Sequence, residues 1–157
     1  MSLMESNSYA YIRLTKDLEE VKEMKNVKLI IPDQTNIQNF RVSVKSSEGL
    51  YKDKWVKFNF KIPNDWPIEP PRVTVVKDIF HPQVGKVKNG GVVSLSILHF
   101  SYKPSITIST IALGLQFILL NIMPHDAMNI EASELYNHNY NEYVKELNKY
   151  IDDFPSD

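Results

Sequence analysis

The spacing of apolar residues changes along this 157-residue chain, and the changes constrain its fold more than any other feature. From Tyr11 to Val21 apolar residues recur every three or four positions, which is typical of an amphipathic helix. Between Val27 and Val76 four short runs have the composition or the alternation of strands. Helical spacing returns from Ile108 onward. This order predicts an α+β domain in which helices cover one side of a four-stranded antiparallel meander.

The links between these elements sharpen the prediction. The strand candidates cover residues 27–31, 40–44, 56–62 and 72–76. A proline-rich stretch at residues 63–71 excludes a helix before the fourth strand. Residues 81–104 lack a period apart from a short apolar patch and contain several glycines, so we expect a long loop there, which is often a functional feature. Three helical segments follow, beginning near Ile108, Asn129 and Tyr140.

Composition bounds the class of protein. With 43% hydrophobic and 24% charged residues, the chain has the size and content of one domain with a full core. We expect residues 9–151 to form it, between a disordered segment at residues 1–8, in part a cloning remnant, and a tail at residues 152–157. A formal net charge of -1 gives no overall attraction to nucleic acid or anionic lipid, so partners must recognise local patches. The polar N-terminus and the absence of a membrane-spanning run predict a cytoplasmic or nuclear location.

Cysteine and histidine usage narrows the chemistry. The chain has no cysteine, which excludes disulfides, thiolate-bound metals and any thiol nucleophile in this sequence. Its four histidines, at positions 81, 99, 125 and 138, do not have the spacing of a metal site. We therefore expect no metal and no other cofactor.

Several short motifs follow one another in a definite order. They are Trp66-Pro67 and Pro70-Pro71 within residues 63–73, His81-Pro82-Gln83, Val93-Ser94-Leu95-Ser96-Ile97-Leu98, Tyr102 to Ile108, and the isolated acid Asp126. From Tyr9 to Ile151 their order and spacing resemble those of the ubiquitin-conjugating enzyme family. Within that family, residues 48–52, 58–61 and 114–117 look most like the branch that conjugates the neddylation modifier. The resemblance implies an α+β domain of the ubiquitin-conjugating fold and a partner that is ubiquitin or a ubiquitin-like modifier.

The chain departs from the family at one place. The resemblance puts Ser94 at the position of the thioester-forming cysteine, with His81, Gln83 and Asp126 around it. Gln83 stands where the family has asparagine, Tyr102 stands where tryptophan is usual, and the stretch from Gln83 to Ser94 is a few residues longer than usual. These changes fall in the segment that would carry the chemistry.

Serine cannot simply replace the cysteine. A thiol is a few per cent thiolate at neutral pH, whereas a serine hydroxyl needs an adjacent base. An ester on Ser94 would also be a poorer acyl donor than a thioester, so transfer to a lysine would stall. Gln83 retains an amide for the loop and the oxyanion, with one methylene more than asparagine, and Asp126 suits the orientation of an incoming lysine. The alternative is that Ser94, Gln83 and Asp126 are ordinary loop or turn residues without a role in catalysis. A hydrolase in which His81 or His99 activates Ser94 lacks the expected G-x-S-x-G turn.

Two surfaces match positions at which the family binds partners. Arg13 and Lys16 give the first helix a basic character, and the resemblance implies that this helix meets the activating enzyme. Ile68, Pro104 and Ser105 match the two loops that contact RING-type ligases. The alternatives are a solvated helix face and an isoleucine that only packs its loop.

These observations leave three hypotheses. The first is a catalytically inactive variant that binds a ubiquitin-like modifier, a ligase or an active conjugating enzyme. The second is an active conjugating enzyme whose catalytic cysteine is replaced by Ser94 in this sequence. The third is a structural domain unrelated to modifier transfer, because a fold does not by itself determine a function.

Overall fold

The computed structural model describes residues 3–156, and in that range it contains four strands, four α-helices and two short 3-10 helices. The order is α1 Tyr9–Lys22, β1 Val27–Ile30, β2 Asn39–Val44, β3 Val56–Lys61, β4 Arg72–Val75, 3-10 helices Val87–Asn89 and Ser96–Leu98, α2 Ile108–Leu120, α3 Ile130–His138 and α4 Tyr140–Ile151. Within the described residues no helix is long and apolar enough to cross a membrane. The predicted α+β fold is confirmed.

The strands form a meander in the order β1-β2-β3-β4, with every neighbouring pair antiparallel. Because side chains alternate across a strand, Phe40, Val42, Phe58 and Phe60 all point to one face and are buried there. Phe40 lies opposite Phe60, with 5.2 Å between the ring centroids. Helices α1 and α2 pack on each other and against this inner face, and the opposite, outer face carries polar side chains.

The two helices on the inner face begin at side-chain caps. The Ser8 hydroxyl accepts a hydrogen bond from the backbone N–H of Tyr11 at the start of α1, and Thr107 does the same for Thr110 at the start of α2. Asp17 of α1 is buried and its carboxylate accepts the backbone N–H of Ile108, the first residue of α2. The carboxylate thus lies at the positive end of the α2 dipole, which joins the two helices.

The long loop is more regular than the sequence predicts. Its two sides pair as a short antiparallel ladder, in which Gly85 N–H donates to Val92 O and Ser94 N–H donates to Gln83 O, each at 2.8 Å. The backbone turns between them through positive φ angles of 101° at Gly90 and 64° at Gly91. The prediction of an unpaired loop was incomplete because backbone pairing leaves no apolar period in the sequence.

The last two residues of β4 fix this ladder to the sheet. Val75 N–H donates to Gly91 O at 2.9 Å, and Thr74 forms a bridge with Val92. A Cβ at Gly91 would lie 3.1 Å from Val75 O, so only glycine fits this approach without a shift.

The C-terminal part of the chain closes the end of the core. The buried Tyr51 hydroxyl donates to the carbonyl of Phe80 at 2.5 Å and accepts the proton of the Tyr143 hydroxyl at 2.6 Å. After α4 the chain returns to the sheet: Phe154 is buried, and Trp55 N–H donates to Pro155 O at 2.9 Å. These contacts place residues 154–155 beside the outer face.

Candidate active site

Ser94 ends one side of the loop ladder, just before the 3-10 helix Ser96–Leu98. It is half-buried, and its backbone N–H donates to Gln83 O. Within residues 3–156 its hydroxyl has no hydrogen-bond partner, so no side chain that the structure describes is placed to take its proton. The ladder fixes the position of the residue without activating it.

Gln83 joins two segments through its side-chain amide. It is only 2% exposed, its Nε2 donates to Ser94 O at 3.3 Å, and its Oε1 accepts the backbone N–H of Met123 at 2.9 Å. The amide therefore connects the Ser94 loop to the segment after α2 and has a fixed orientation. In this chain the longer side chain spans the gap between these two backbone groups.

His81 anchors the same frame from inside the core. It is fully buried, its Nε2 lies 2.7 Å from Ile118 O, and its Nδ1 accepts the backbone N–H of Gln83 at 2.9 Å. Because Nδ1 is the acceptor, Nε2 carries the proton and donates it to the carbonyl. Burial lowers the pKa of His81 to about 4, so the ring is neutral at neutral pH. Both ring nitrogens are occupied, and neither is available to deprotonate Ser94.

His99, the other histidine considered as a base, is also placed elsewhere. It is exposed, and its Nε2 lies 3.2 Å from the carbonyl of Val93. No hydrogen bond within the described residues joins it to the Ser94 hydroxyl. The geometry gives no support to a serine hydrolase.

Asp126 lies in an exposed turn beside this frame. Its backbone N–H donates to Met123 O at 3.2 Å, and its Oδ1 lies 3.6 Å from Nε2 of the exposed His125. Met128 and Asn129 both donate backbone N–H groups to Pro82 O, at 2.8 and 3.0 Å. The motif at residues 81–83 is thus joined to the turn that carries Asp126. Asp126 itself makes no direct contact with Ser94 among the recorded hydrogen bonds and ion pairs of residues 3–156.

A second predicted group meets around an open cavity of about 640 Å³. Ile68, Pro104 and Ser105 line it together with Tyr9 and Trp66. The Ile68 side chain is 69% exposed, which is unusual for an isoleucine and leaves it free of the core. The structure therefore brings together the three residues predicted from the two loops.

Arg13 holds this cavity in shape. Its Nη1 and Nη2 donate to Pro104 O at 2.8 Å and to Ile106 O at 3.0 Å, and its Nε donates to Asp17 at 3.3 Å. Its guanidinium lies 5.3 Å from the centroid of the Trp66 ring. The side chain is only 15% exposed, so its charge is directed at its own chain.

Two more residues complete this description. Lys16 is exposed on α1, and its contact with the activating enzyme stays a prediction. Tyr102 donates its hydroxyl to Pro67 O at 2.6 Å, which ties the two loops across the cavity, and burial raises its pKa. Sequence reasoning noted Tyr102 only as a departure, because nothing local indicates a bond to a residue 35 positions away.

Among residues 3–156 no three histidine, aspartate or glutamate side chains come close enough together to hold a metal ion. What the site offers is a half-buried hydroxyl, a fixed amide and a nearby exposed carboxylate.

Comparison with known proteins agrees with this geometry. The sequence profile of the ubiquitin-conjugating enzymes matches residues 13–151. The chain is 31% identical over 142 residues to the Nedd8-conjugating enzyme UbcE2M of Drosophila melanogaster, covering 90% of this chain and 77% of that protein. It is 32% identical over 140 residues to the NEDD8-conjugating enzyme UBC12 of Saccharomyces cerevisiae, covering 85% and 73%.

Solved structures give the same result. The structure of S. cerevisiae Ubc12 superposes with a TM-score of 0.78 at 31% identity, covering 90% of this chain and 78% of that one. A putative ubiquitin-conjugating enzyme from Plasmodium yoelii superposes with a TM-score of 0.84 at 27% identity, covering 94% and 96%. Since profile, sequences and structures agree over nearly all of the described residues, this chain belongs to the ubiquitin-conjugating enzyme family and is similar to its NEDD8-conjugating members.

Proposed function

We propose that this protein takes part in ubiquitin-like modifier conjugation without forming a thioester, as a binding partner of the modifier and of other proteins of the pathway. The observation that carries the proposal is the Ser94 hydroxyl, which has no base beside it among residues 3–156. His81, the buried histidine of the site, is neutral and uses both ring nitrogens to hold the backbone. A serine in such a site is a weak nucleophile.

The partners follow from the family and from the surfaces that remain. The modifier is ubiquitin or a ubiquitin-like protein, and NEDD8 is the first to test because the relatives act with it by name. The exposed Ile68 beside Pro104 and Ser105 offers an apolar anchor for a RING-type ligase. The exposed Lys16 on α1 is the candidate contact with the activating enzyme, while Arg13 supports the neighbouring loops. An active conjugating enzyme is a further candidate partner.

A charging assay, which measures covalent attachment of the modifier to the protein, tests whether Ser94 is inactive as a nucleophile. Activating enzyme, ATP and NEDD8 are incubated with the Ser94 protein, with Ser94→Cys, and with Ser96→Cys as a matched cysteine two residues away on an exposed position. We expect no adduct on the serine protein and none on Ser96→Cys. An ester on the serine protein that passes the modifier to a lysine would overturn the proposal.

A binding assay tests the second part of the proposal, which is that the protein binds the modifier or other proteins of the pathway. The Ser94 protein, without any attached modifier, is titrated separately with NEDD8, ubiquitin, activating enzyme and a RING domain. Binding is measured by isothermal titration calorimetry or fluorescence anisotropy. We expect binding to at least one of them at micromolar concentrations. A failure to bind any of them would contradict a role as binding partner.

A second candidate is an active conjugating enzyme in which serine replaces the cysteine of this sequence. The observation in its favour is the intact frame of His81, Gln83 and Ser94, in which every polar side-chain group other than the hydroxyl has a partner. It predicts that Ser94→Cys forms a thiol-sensitive adduct and discharges it onto lysine. A Ser94→Cys protein that binds NEDD8 but never charges would exclude this candidate.

A further inference from the structure

The outer face of the sheet has a charge pattern that the proposed function does not use. The four strands carry five basic residues and no acidic residue, although the whole chain has 18 basic and 19 acidic residues. All five alternate with the buried positions and therefore lie on the outer face. They are Lys28, Arg41, Lys57, Lys61 and Arg72. A near-neutral protein thus concentrates positive charge on one sheet face.

These cations lack acidic partners in the part of the chain that the structure describes. Within residues 3–156, none of the five has a carboxylate within ion-pair distance. Arg41 donates to the neutral amide of Asn59 at 3.2 Å, and Lys28 lies 4.1 Å from the centroid of the Trp55 ring. The positive charge therefore remains available to a partner.

One end of this face has an apolar cavity of about 340 Å³. Trp55, Val76 and Phe154 contribute apolar walls, and Lys28 and Lys57 also line the cavity. Trp55 is 9% exposed, and its indole nitrogen has no hydrogen-bond partner among the described residues. The apolar walls make the cavity a place for an apolar side chain of a partner.

The strand register fixes the spacing between the cavity and the cations. Lys28 and Lys57 share a cross-strand row at the cavity, Arg41 lies in the next outward row, and Lys61 and Arg72 form the row beyond it. Rows on one face are two residues apart, so Arg41 lies about 7 Å and the last pair about 14 Å along the strands from the cavity row.

We propose that this outer face binds an acidic, extended segment of a partner protein that carries one bulky apolar residue. In an extended chain, residues i, i+2 and i+4 point the same way and repeat at the same distance as the rows. An apolar residue in the cavity then places carboxylates two and four positions away over Arg41 and over the Lys61–Arg72 pair.

A nucleic acid fits this face less well than a protein segment. Base stacking needs a free aromatic face, whereas Lys28 and Lys45 lie 4.1 and 4.9 Å from the centroid of the buried Trp55 ring. The cavity beside the cations is apolar, which suits a side chain.

The test uses two labelled peptides of identical composition. Glu-Ser-Glu-Ser-Phe-Ser-Glu-Ser-Glu has its acids two and four residues from phenylalanine in both chain directions, and Ser-Glu-Ser-Glu-Phe-Glu-Ser-Glu-Ser has them one and three away. We expect fluorescence anisotropy to show at least about tenfold tighter binding of the first peptide, weakening as salt rises. Equal binding, or no binding at about 1 mM protein, would overturn the proposal.

Protein variants locate the binding. We expect the protein that combines Arg41→Glu, Lys61→Glu and Arg72→Glu to bind the first peptide at least about tenfold more weakly. A matched variant with Lys88→Glu, Lys103→Glu and Lys145→Glu changes three exposed lysines outside the strands and should bind as before. If charge reversal impairs folding, Arg41→Gln, Lys61→Gln and Arg72→Gln remove the same charges more mildly. Equal losses in both sets, or preferential binding of a single-stranded nonanucleotide, would contradict the proposal.

Discussion

The Ser94 site and the Ile68 cavity are held together in the same way, but they present different side-chain groups to a partner. In each, one largely buried side chain reaches across to two backbone groups: Gln83 to the segments of Ser94 and Met123, and Arg13 to the carbonyls of Pro104 and Ile106. The cavity offers an exposed apolar residue, whereas the site offers a hydroxyl that no base among residues 3–156 contacts. Holding a shape and supplying chemistry are therefore separable in this fold, and four experiments test how far.

The largest expected effect is at the cavity. Arg13→Ala removes both bonds to the loop and leaves the buried Asp17 carboxylate without its cation. We expect a loss of about 3 kcal/mol in the free energy of unfolding, measured by urea denaturation. Arg72→Ala, at an exposed arginine on the sheet, is the control and should cost under about 0.5 kcal/mol. Similar values for the two variants would show that Arg13 does not hold the loops.

The next effect is a pH dependence at the site. The unfolded chain protonates His81 below its usual pKa of 6.5, but the folded chain does so only near 4. The contribution of His81 to the free energy of unfolding is therefore fully present above about pH 6.5. It falls on acidification, by about 2 kcal/mol between about pH 7 and about pH 5. His81→Gln should flatten this part of the urea-denaturation profile, and His138→Gln, at an exposed histidine, should leave it unchanged. A profile that both variants leave unchanged would contradict the neutral, buried His81.

A smaller effect is expected at Gln83. Gln83→Ala leaves Ser94 O and Met123 N–H without their partner, at a cost of about 1 to 2 kcal/mol. Hydrogen exchange should show faster opening of the Met123 amide. Gln34→Ala, which removes one exposed hydrogen bond, serves as the control. Unchanged protection at Met123 would mean that the amide does not join the two segments.

The smallest stability effect is expected at Ile68. Ile68→Ser should change the free energy of unfolding by less than about 0.5 kcal/mol because the side chain is 69% exposed. Under the proposed function it should abolish capture by a RING domain. Ile130→Ser, at an equally exposed isoleucine on α3, should retain capture. Loss of capture in both variants would place the contact elsewhere.

The fold could be predicted because its signals are local. Alternation at Phe40 and Val42 reports one buried sheet face, and the spacing from Tyr11 to Val21 reports one buried helix face. Motif order also placed Ser94, Gln83 and His81 in one group, which the hydrogen bonds join.

What the sequence did not reveal depends on contacts between distant residues. Arg13 reads as part of a polar helix face, yet it bonds carbonyls 91 and 93 positions away. Phe154 reads as part of a tail, yet it is buried beside the sheet, and Lys54 reaches its carbonyl across 100 positions. No periodicity encodes such pairs, because they depend on where the folded chain brings its backbone groups.

The fixed loop at Gly91 has a consequence for solubility. A strand at the border of a sheet exposes unpaired backbone groups that invite pairing with other molecules and aggregation. Here Gly91 and Val92 cover that border at Val75 and Thr74 of β4. The long stretch between Gln83 and Ser94 therefore occupies these edge groups of β4, so that another copy of the chain cannot pair with them there.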